Sequence, residues 1–210
     1  MMDREGLLLV LSGPSGAGKG TICQQLIKKE SSISLSVSVT TRSPRLGEEH
    51  GKNYFFINEE QFKQMIEGDQ LLEWAQVYGN FYGTPRDWVE KKLQAGEDVL
   101  LEIDIQGALQ IKEKFPQCIL VFVIPPSINE LQARLIKRGT DCNDVIKKRL
   151  QCVEGELQKV PQYDYIVVND CLDTAIDQVR SIIVAEKCRS KRFDIQKYLQ
   201  VEGQHESYLT

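Results

Sequence analysis

Four apolar runs are separated along the chain by longer stretches in which apolar residues recur every three or four positions. The runs cover residues 7–11, 99–105, 119–124 and 166–168. Nearly continuous apolar runs are typical of strands buried on both faces of a parallel sheet, and the longer period is typical of amphipathic helices. The alternation predicts an α/β fold, in which helices flank a parallel sheet.

Six helices are predicted from the three-to-four-residue period. They cover residues 21–30, 59–67, 85–95, 128–137, 144–159 and 174–189. Proline is favoured at the first position of a helix and glycine just beyond its end. Pro85 stands at one predicted start, and Gly68, Gly96 and Gly139 stand where three of the helices are expected to end.

The distribution of polar and aromatic residues divides the chain further. Residues 36–90 are more polar and aromatic than the rest, so we expect a mixed insertion on the parallel core. Residues 127–159 are rich in arginine and predict a helical lid. The predicted core then comprises residues 1–35, 91–126 and 160–190, and residues 191–210 form the end of a C-terminal helix and a tail.

Composition and charge exclude several classes of protein. A chain of 210 residues with 41% hydrophobic content can bury a core. The net charge of −4 argues against a nucleic-acid-binding surface, and the first apolar run is too short for a signal peptide or a membrane span. The six cysteines stand singly, without zinc-site spacing, so we expect reduced thiols and a cytoplasmic protein. A monomer and a homo-oligomer are both open.

A glycine-rich loop follows the first apolar run and precedes the first predicted helix. Its residues are Gly13, Pro14, Ser15, Gly16, Ala17, Gly18, Lys19, Gly20 and Thr21. The glycines allow successive backbone N–H groups to point at a phosphate, Lys19 adds a positive charge, and the helix N-terminus adds its dipole. A strand, this loop and a helix in that order predict a P-loop NTPase-type sheet that binds ATP.

The loop departs from the usual pattern at one position. Gly20 stands where a serine or threonine hydroxyl usually ligates magnesium, and Thr21 follows one residue later. Adenylate kinases are similar to this chain in reading Gly-Lys-Gly-Thr, so the departure is compatible with catalysis. We expect Mg²⁺ to act with ATP and to be held mainly by ATP oxygens and water, without a ligand from the protein.

Further motifs extend over nearly the whole chain. They read SVTTRSPRLGE at 38–48, GKNYFF at 51–56, LEWA at 72–75, YGT at 82–84, IDIQG at 103–107, PPS at 125–127, RGT at 138–140 and VND at 168–170. With these motifs the chain resembles the guanylate kinase family of P-loop nucleoside-monophosphate kinases. The resemblance implies a GMP-binding insertion, a helical lid and transfer of the γ-phosphoryl group of ATP to GMP, with dGMP as a weaker acceptor.

Four residues of the predicted insertion suit a nucleoside monophosphate. Arg42 and Arg45 offer forked donors, and Tyr54 and Tyr82 offer phenol hydroxyls, so together they could surround its phosphate. The resemblance implies that they do. Taken singly, each arginine could instead be a solvated surface charge.

Three other residues suit a guanine base. The carboxylate of Glu73 matches the N1–H and 2-amino donors of guanine, and the hydroxyls of Ser38 and Thr84 can meet its O6. Adenine would set an unprotonated ring nitrogen against the carboxylate, and such a mismatch discriminates strongly. Taken alone, Glu73 could also be an ordinary carboxylate at a helix end. Asp104 ends an apolar run, where α/β folds place ligand groups, and the family uses it near the guanine and the metal waters.

Phosphoryl transfer to GMP requires no general base, because the acceptor already carries an oxyanion; positioning and charge neutralisation suffice. The candidate catalytic cations are Lys19, Arg42, Arg45, Arg134, Arg138 and Arg149. Arg134 and Arg138 are four residues apart and share a helix face. The resemblance assigns catalytic roles to Arg138 and Arg149, although lid arginines among lysines could also be surface residues.

Three acidic or amide residues remain open in role. Asn169 and Asp170 match positions that border the ATP adenine in the family, but an Asn-Asp turn after a strand is also common for conformational reasons. Glu102 stands where the family often has aspartate, so an inward-facing structural carboxylate is an equal interpretation.

Two alternative functions compete with that of a GMP kinase of purine nucleotide metabolism. A kinase for AMP, CMP, UMP or dTMP is disfavoured by Ser38, Glu73 and Thr84. A non-catalytic, guanylate-kinase-like interaction module would be expected to have lost loop or arginine positions, whereas this chain has them.

Overall fold

The computed structural model describes residues 5–138, 143–193 and 195–196, and the side chains of residues 138, 143 and 144 lie outside that description. The strands are β1 (Leu8–Ser12), β2 (Ile33–Leu35), β3 (Val39–Thr40), β4 (Phe55–Phe56), β5 (Leu71–Val77), β6 (Asn80–Pro85), β7 (Asp98–Glu102), β8 (Ile119–Ile124) and β9 (Tyr165–Val168). The helices are α1 (Lys19–Lys29), α2 (Glu59–Glu67), α3 (Arg86–Gln94), α4 (Ile105–Lys114), α5 (Ile128–Arg138), α6 (Asn143–Leu157) and α7 (Leu172–Lys187).

A five-stranded parallel sheet, in the order β2-β7-β1-β8-β9, forms the core. Alternate residues of β1 face opposite sides of this sheet. Leu9 and Leu11 pack with residues of α1 and α7, whereas Leu8 and Val10 pack with residues of α3 and α4. Burial on both faces explains why this strand reads as an unbroken apolar run, and the predicted α/β class is confirmed.

A second sheet of four strands, in the order β4-β3-β6-β5, is built from residues 39–85. It is mixed, because β3 pairs in parallel with β4 but antiparallel with β6. Its own small core consists of Phe62 from α2 packed with Val39 and Leu71. The mixed character predicted for this part of the chain is therefore present, while the division of the chain into domains stays a prediction.

All six predicted helices are present, with ends that differ by no more than two residues from the prediction. The lid helices α5 and α6 share a separate apolar cluster, formed by Leu131, Leu135, Ile146 and Val153. The helix end predicted at Gly139 and the tail from residue 197 onward lie outside the described residues. In the part of the chain that the structure describes, no helix is both long and apolar enough to cross a membrane.

A seventh helix, α4, is absent from the prediction, which treated residues 99–105 as one apolar run. The strand β7 ends at Glu102, and α4 begins at Ile105. The Asp104 side chain between them accepts hydrogen bonds from the backbone N–H groups of Gln106 (2.8 Å) and Gly107 (3.4 Å). This N-cap, which satisfies donors at the start of a helix, turns the chain away from the sheet.

Candidate active site

The glycine loop between β1 and α1 is braced by an asparagine from the end of β9. Asn169 is buried, and its side-chain amide donates a hydrogen bond to the Ala17 carbonyl (2.8 Å). Gly18 has φ +94, and a Cβ at this position would lie 2.2 Å from the Asn169 amide nitrogen. Only glycine fits here, because the backbone is left-handed and its neighbour is in contact. The observed contact of Asn169 is with the loop, and its proximity to adenine stays a prediction, as does that of the exposed Asp170.

Lys19 lies across this loop. Its ammonium group donates hydrogen bonds to the carbonyls of Gly13 (2.6 Å) and Pro14 (3.1 Å). Burial lowers the pKa of Lys19, and the negative charges of Glu102, Glu156 and Asp104 oppose that effect. The loop therefore presents a partly buried cation near carboxylates at the carboxyl end of the sheet.

Glu73 lies on strand β5, so the interpretation of this residue as an ordinary carboxylate at a helix end is wrong. It is only 2% exposed, and its Oε1 accepts a hydrogen bond of 2.6 Å from the Thr84 hydroxyl, on the neighbouring strand β6. Burial raises the pKa of Glu73 to about 8, although the hydrogen bond from Thr84 acts in the opposite direction. Ser38, also buried, lines the same cavity. A buried carboxylate beside hydroxyls can accept two N–H donors from a planar base.

Gly107, at the start of α4, was missed as a site residue. A Cβ at this position would lie 2.3 Å from Oε2 of Glu73. A side chain at 107 would therefore displace the carboxylate. The signal was present in the sequence as the glycine of the 103–107 motif, but only the fold brings α4 against β5.

Arg42 is held by Glu48, a second residue that sequence reasoning missed. The Arg42 guanidinium forms an ion pair with Glu48 (2.9 Å) and lies 5.4 Å from the centre of the Tyr54 ring. Glu48 also accepts a hydrogen bond from the backbone N–H of Arg45 (2.8 Å), so one carboxylate organises the segment that carries both arginines. Tyr54 and Tyr82 contact each other edge to face, with ring centres 6.0 Å apart.

Two lid arginines reach the core. Arg149 is only 8% exposed and donates a hydrogen bond of 2.5 Å to the Ser15 hydroxyl of the glycine loop. Arg134 donates to its helix neighbour Glu130 (2.8 Å) and to the backbone carbonyl of Asn169 (3.0 Å). The side chain of Arg138, predicted to be catalytic, lies outside the described residues.

A single cavity of about 950 Å³ brings most of these residues together. Its lining includes the predicted site residues Gly13, Ser15, Gly16, Gly18, Lys19, Gly20, Thr21, Ser38, Arg42, Arg45, Tyr54, Glu73, Tyr82, Asp104, Arg134 and Arg149. Among the described residues that were predicted, Pro14, Ala17, Thr84, Asn169 and Asp170 are not part of this lining. The glycine loop and the Glu73 pocket are thus two regions of one space.

The residues around Gly20 fit a magnesium ion that keeps most of its ligands outside the protein. A Cβ at Gly20 would lie 3.2 Å from both carboxylate oxygens of Glu102, so that carboxylate stands where the loop hydroxyl is missing. Asp104 lines the same cavity. Carboxylates, water and phosphate oxygens are the ligands that Mg²⁺ prefers. Within the described residues, no three His, Cys, Asp or Glu side chains are grouped closely enough to hold a metal ion by themselves.

The fold and this cavity define a class of protein. A P-loop at the carboxyl end of a parallel sheet faces a mixed sheet and a helical lid across one cavity, which is the architecture of a P-loop nucleoside-monophosphate kinase. The sequence model of one family, guanylate kinase, matches residues 5–186. The chain belongs to the guanylate kinase family.

Individual relatives agree with that assignment. The guanylate kinases of Caldanaerobacter subterraneus subsp. tengcongensis and Desulfitobacterium hafniense are each 57% identical to this chain, over 191 and 192 residues. Each alignment covers 91% of this chain, together with 93% and 96% of the respective relative. The crystal structure of guanylate kinase from Anaplasma phagocytophilum is similar with a TM-score of 0.81 and 34% identity, covering 95% of this chain and 96% of that chain.

Proposed function

We propose that this protein transfers the γ-phosphoryl group of ATP to GMP, and more weakly to dGMP, giving ADP and GDP. The observation that carries the proposal is the shared cavity, which joins the glycine loop to the buried Glu73–Thr84 pair. A P-loop alone supports only polyphosphate binding. The second region supplies the selection of an acceptor, and both regions open into the same space.

In the transfer step, an oxygen of the GMP phosphate forms a bond to the γ-phosphorus as the bond from that phosphorus to the β-phosphate oxygen breaks. The attacking oxygen is already ionised, so no base is needed. Arg42 and Arg45 would hold the attacking phosphate, and Lys19 and Arg149 would neutralise charge on the β- and γ-phosphates. Lys19, Arg42 and Arg149 are held in advance by their hydrogen bonds and ion pairs, and such preorganised charge needs little rearrangement during the reaction.

Guanine would be selected at Glu73. In the complex, Glu73 would release to solvent the proton that it retains below about pH 8 in the free protein, and its carboxylate would accept hydrogen bonds from N1–H and the 2-amino group. The Ser38 hydroxyl would contact the edge of the base, and the Thr84 hydroxyl would orient the carboxylate. Thr84 is completely buried and already donates to Glu73. The base therefore meets a carboxylate whose orientation is set by the protein before it binds.

Magnesium would be held chiefly by ATP oxygens and water, with Glu102 and Asp104 as the carboxylates beside it. When bound, it would neutralise phosphate charge. Arg134 and the Arg138 side chain would complete the lid, and closure of the lid would exclude water from the reacting phosphates.

We also infer a cytoplasmic role in purine nucleotide metabolism. The described cysteines Cys23, Cys118, Cys152, Cys171 and Cys188 are free thiols, which supports a reducing compartment. Whether the protein acts as a monomer or a homo-oligomer stays open.

Turnover of GMP, dGMP, AMP, CMP, UMP and dTMP at fixed Mg-ATP tests the proposal directly. We expect GMP to be preferred over AMP, CMP, UMP and dTMP by a factor of roughly 10⁴, because hydrogen bonds to the base discriminate among them. The acceptor dGMP, which carries the same base, should be only moderately weaker than GMP. Glu73→Gln should remove most of that preference, whereas Glu113→Gln, an exposed glutamate on α4, should leave it intact. Equal turnover of AMP and GMP would overturn the guanine assignment, and full activity in Lys19→Ala would overturn the catalytic role of the loop.

A further inference from the structure

Tyr78 occupies a backbone position that does not suit tyrosine. It lies in the two-residue turn between β5 and β6, where Tyr78 has φ +49 and Gly79 has φ +84. Hairpin turns with two residues of positive φ strongly prefer asparagine followed by glycine. Left-handed backbone at a bulky residue is uncommon and is found where the surrounding structure or function requires that side chain. The turn itself therefore does not explain a tyrosine here.

The Tyr78 ring lies against the guanidinium group of Arg149. The guanidinium carbon is 4.9 Å from the ring centre, although Arg149 comes from helix α6 of the lid and Tyr78 from the mixed sheet. Arg149 also donates to the Ser15 hydroxyl of the glycine loop. Three separate parts of the molecule thus meet at one cation, and all three side chains line the shared cavity.

The two contacts of Arg149 differ in kind, because one is a hydrogen bond to Ser15 and the other is a contact between a cation and the Tyr78 ring. An aromatic ring attracts the flat face of the group, whereas the N–H donors lie in its plane. The Ser15 contact uses one of those in-plane donors, for which phosphate oxygens would compete. The Tyr78 contact depends on the positive charge of the guanidinium, so it can persist while Arg149 exchanges its hydrogen bond to Ser15 for one to a phosphate.

We propose that Tyr78 is a positioning residue for phosphoryl transfer, which holds the Arg149 guanidinium over the glycine loop when the mixed sheet and the lid come together. This inference rests on the proposed function. Tyr78 acts on the transfer step through Arg149 and does not hold either nucleotide. Loss of the ring therefore lowers kcat and leaves the KM values for GMP and ATP within about twofold, because the groups that bind the substrates are intact.

Two substitutions distinguish the effect of the aromatic ring from the effect of the turn conformation. Tyr78→Phe keeps the aromatic face and should retain kcat, whereas Tyr78→Asn suits the left-handed turn but removes the ring. Energies of contacts between cations and aromatic rings correspond to a decrease in kcat of about 2- to 30-fold for Tyr78→Asn. Its melting temperature should be unchanged or higher, so an unstable fold cannot account for the slower reaction. Unchanged kcat in Tyr78→Asn, or an equal loss in Tyr78→Phe, overturns the proposal.

A double-mutant cycle with Arg149→Ala tests whether Tyr78 acts through Arg149. In the Arg149→Ala background, adding Tyr78→Asn should change kcat by less than about twofold, because the group that Tyr78 positions is gone. The same fold-loss in both backgrounds would show an independent effect and overturn the proposal. GMP turnover by the unsubstituted protein is measured first. If that reaction is absent, the proposed function fails, and if it is present without coupling, only the role of Tyr78 fails.

Discussion

Glu73 and Gly107 show how much of the candidate site depends on single residues. The carboxylate of Glu73 is enclosed by protein, with the Thr84 hydroxyl on one oxygen and the α-carbon of Gly107 next to the other. An added methyl group at 107 has no room, because its neighbour is the carboxylate itself at 2.3 Å. The absence of a side chain at position 107 thus sets the position of the Glu73 carboxylate, the group proposed to select the acceptor.

Gly107→Ala should therefore weaken GMP selectively. Displacing Glu73 costs hydrogen bonds to a charged group, and such bonds are worth about 1.5–3 kcal/mol each, so KM for GMP should rise roughly 10- to 100-fold. KM for ATP should stay within a factor of about two. Steady-state kinetics measures both constants. Gly155→Ala is the matched control, because this helical glycine lines the same cavity but a Cβ there meets no atom within 4 Å; equal effects of the two substitutions would contradict the prediction.

Glu73 should also make stability depend on pH. Its pKa is raised from an ordinary value of 4.5 to about 8 by burial. Between those two pH values the unfolded chain has released the proton and the folded protein retains it, so stability falls as pH rises and levels off above about pH 8. Glu73→Gln cannot ionise in either state, so the stability of the unsubstituted protein should fall relative to that of Glu73→Gln as pH rises from about 4.5 to about 8. Urea midpoints at several pH values test this, and parallel profiles for the two proteins would refute it.

Some residues of the candidate site can be predicted from the sequence, and others cannot. Lys19 and the arginines at 42 and 45 stand in recognisable motifs, and the motifs together with the chemistry of these residues indicate phosphate binding. Glu48 and Tyr78 are ordinary residues in sequence, because their importance comes from what they contact. The fold shows that Glu48 contacts both Arg42 and Arg45. It also brings the Tyr78 ring to Arg149, which is far from it in sequence.

At the scale of elements, strands and helices were predicted where one periodicity continues for several residues. The start of α4 was not predicted, because the apolar run continues across the boundary between the strand and the helix. Ile103 precedes the helix and Ile105 begins it, yet both are buried. The Asp104 cap marks that boundary. The strands of the mixed sheet were not assigned individually, since strands of two residues such as β3 and β4 carry almost no periodic signal.

The lid should open as a unit of its own. Leu135 is buried in the cluster shared by α5 and α6, which is separate from the two clusters that flank the parallel sheet. Leu135→Ala should destabilise this cluster by about 2–5 kcal/mol. Because the cluster is local, amide hydrogen exchange should accelerate in α5 and α6 and remain slow in β1 and β8. Equal loss of protection in the sheet would show that the lid and core unfold together. Val184→Ala, at an exposed position on α7, is the control for loss of aliphatic volume.

Across the whole molecule, positively charged side chains are concentrated at the cavity although the net charge of the chain is negative. The chain has a net charge of −4, yet its shared cavity is lined by Lys19, Arg42, Arg45, Arg134 and Arg149. The same cavity contains carboxylates, among them Glu102 and Asp104 beside the lysine. These anions offset part of the positive charge that two phosphorylated substrates require. The protein's own cations therefore do not neutralise all of the phosphate charge, and a divalent ion that binds with ATP would supply the remaining positive charge.

Removing magnesium should consequently abolish the reaction without unfolding the protein. EDTA should reduce phosphoryl transfer from ATP to GMP to background, and excess Mg²⁺ should restore it. The melting temperature without substrates should be unchanged by EDTA, because in the described part of the chain no group of three or more potential ligand side chains could hold an ion. Calorimetry in the presence and absence of EDTA, with the same samples assayed for turnover, checks both statements. A lower melting temperature in EDTA would identify a resident metal, whereas full turnover in EDTA would mean that the cations of the cavity suffice for transfer.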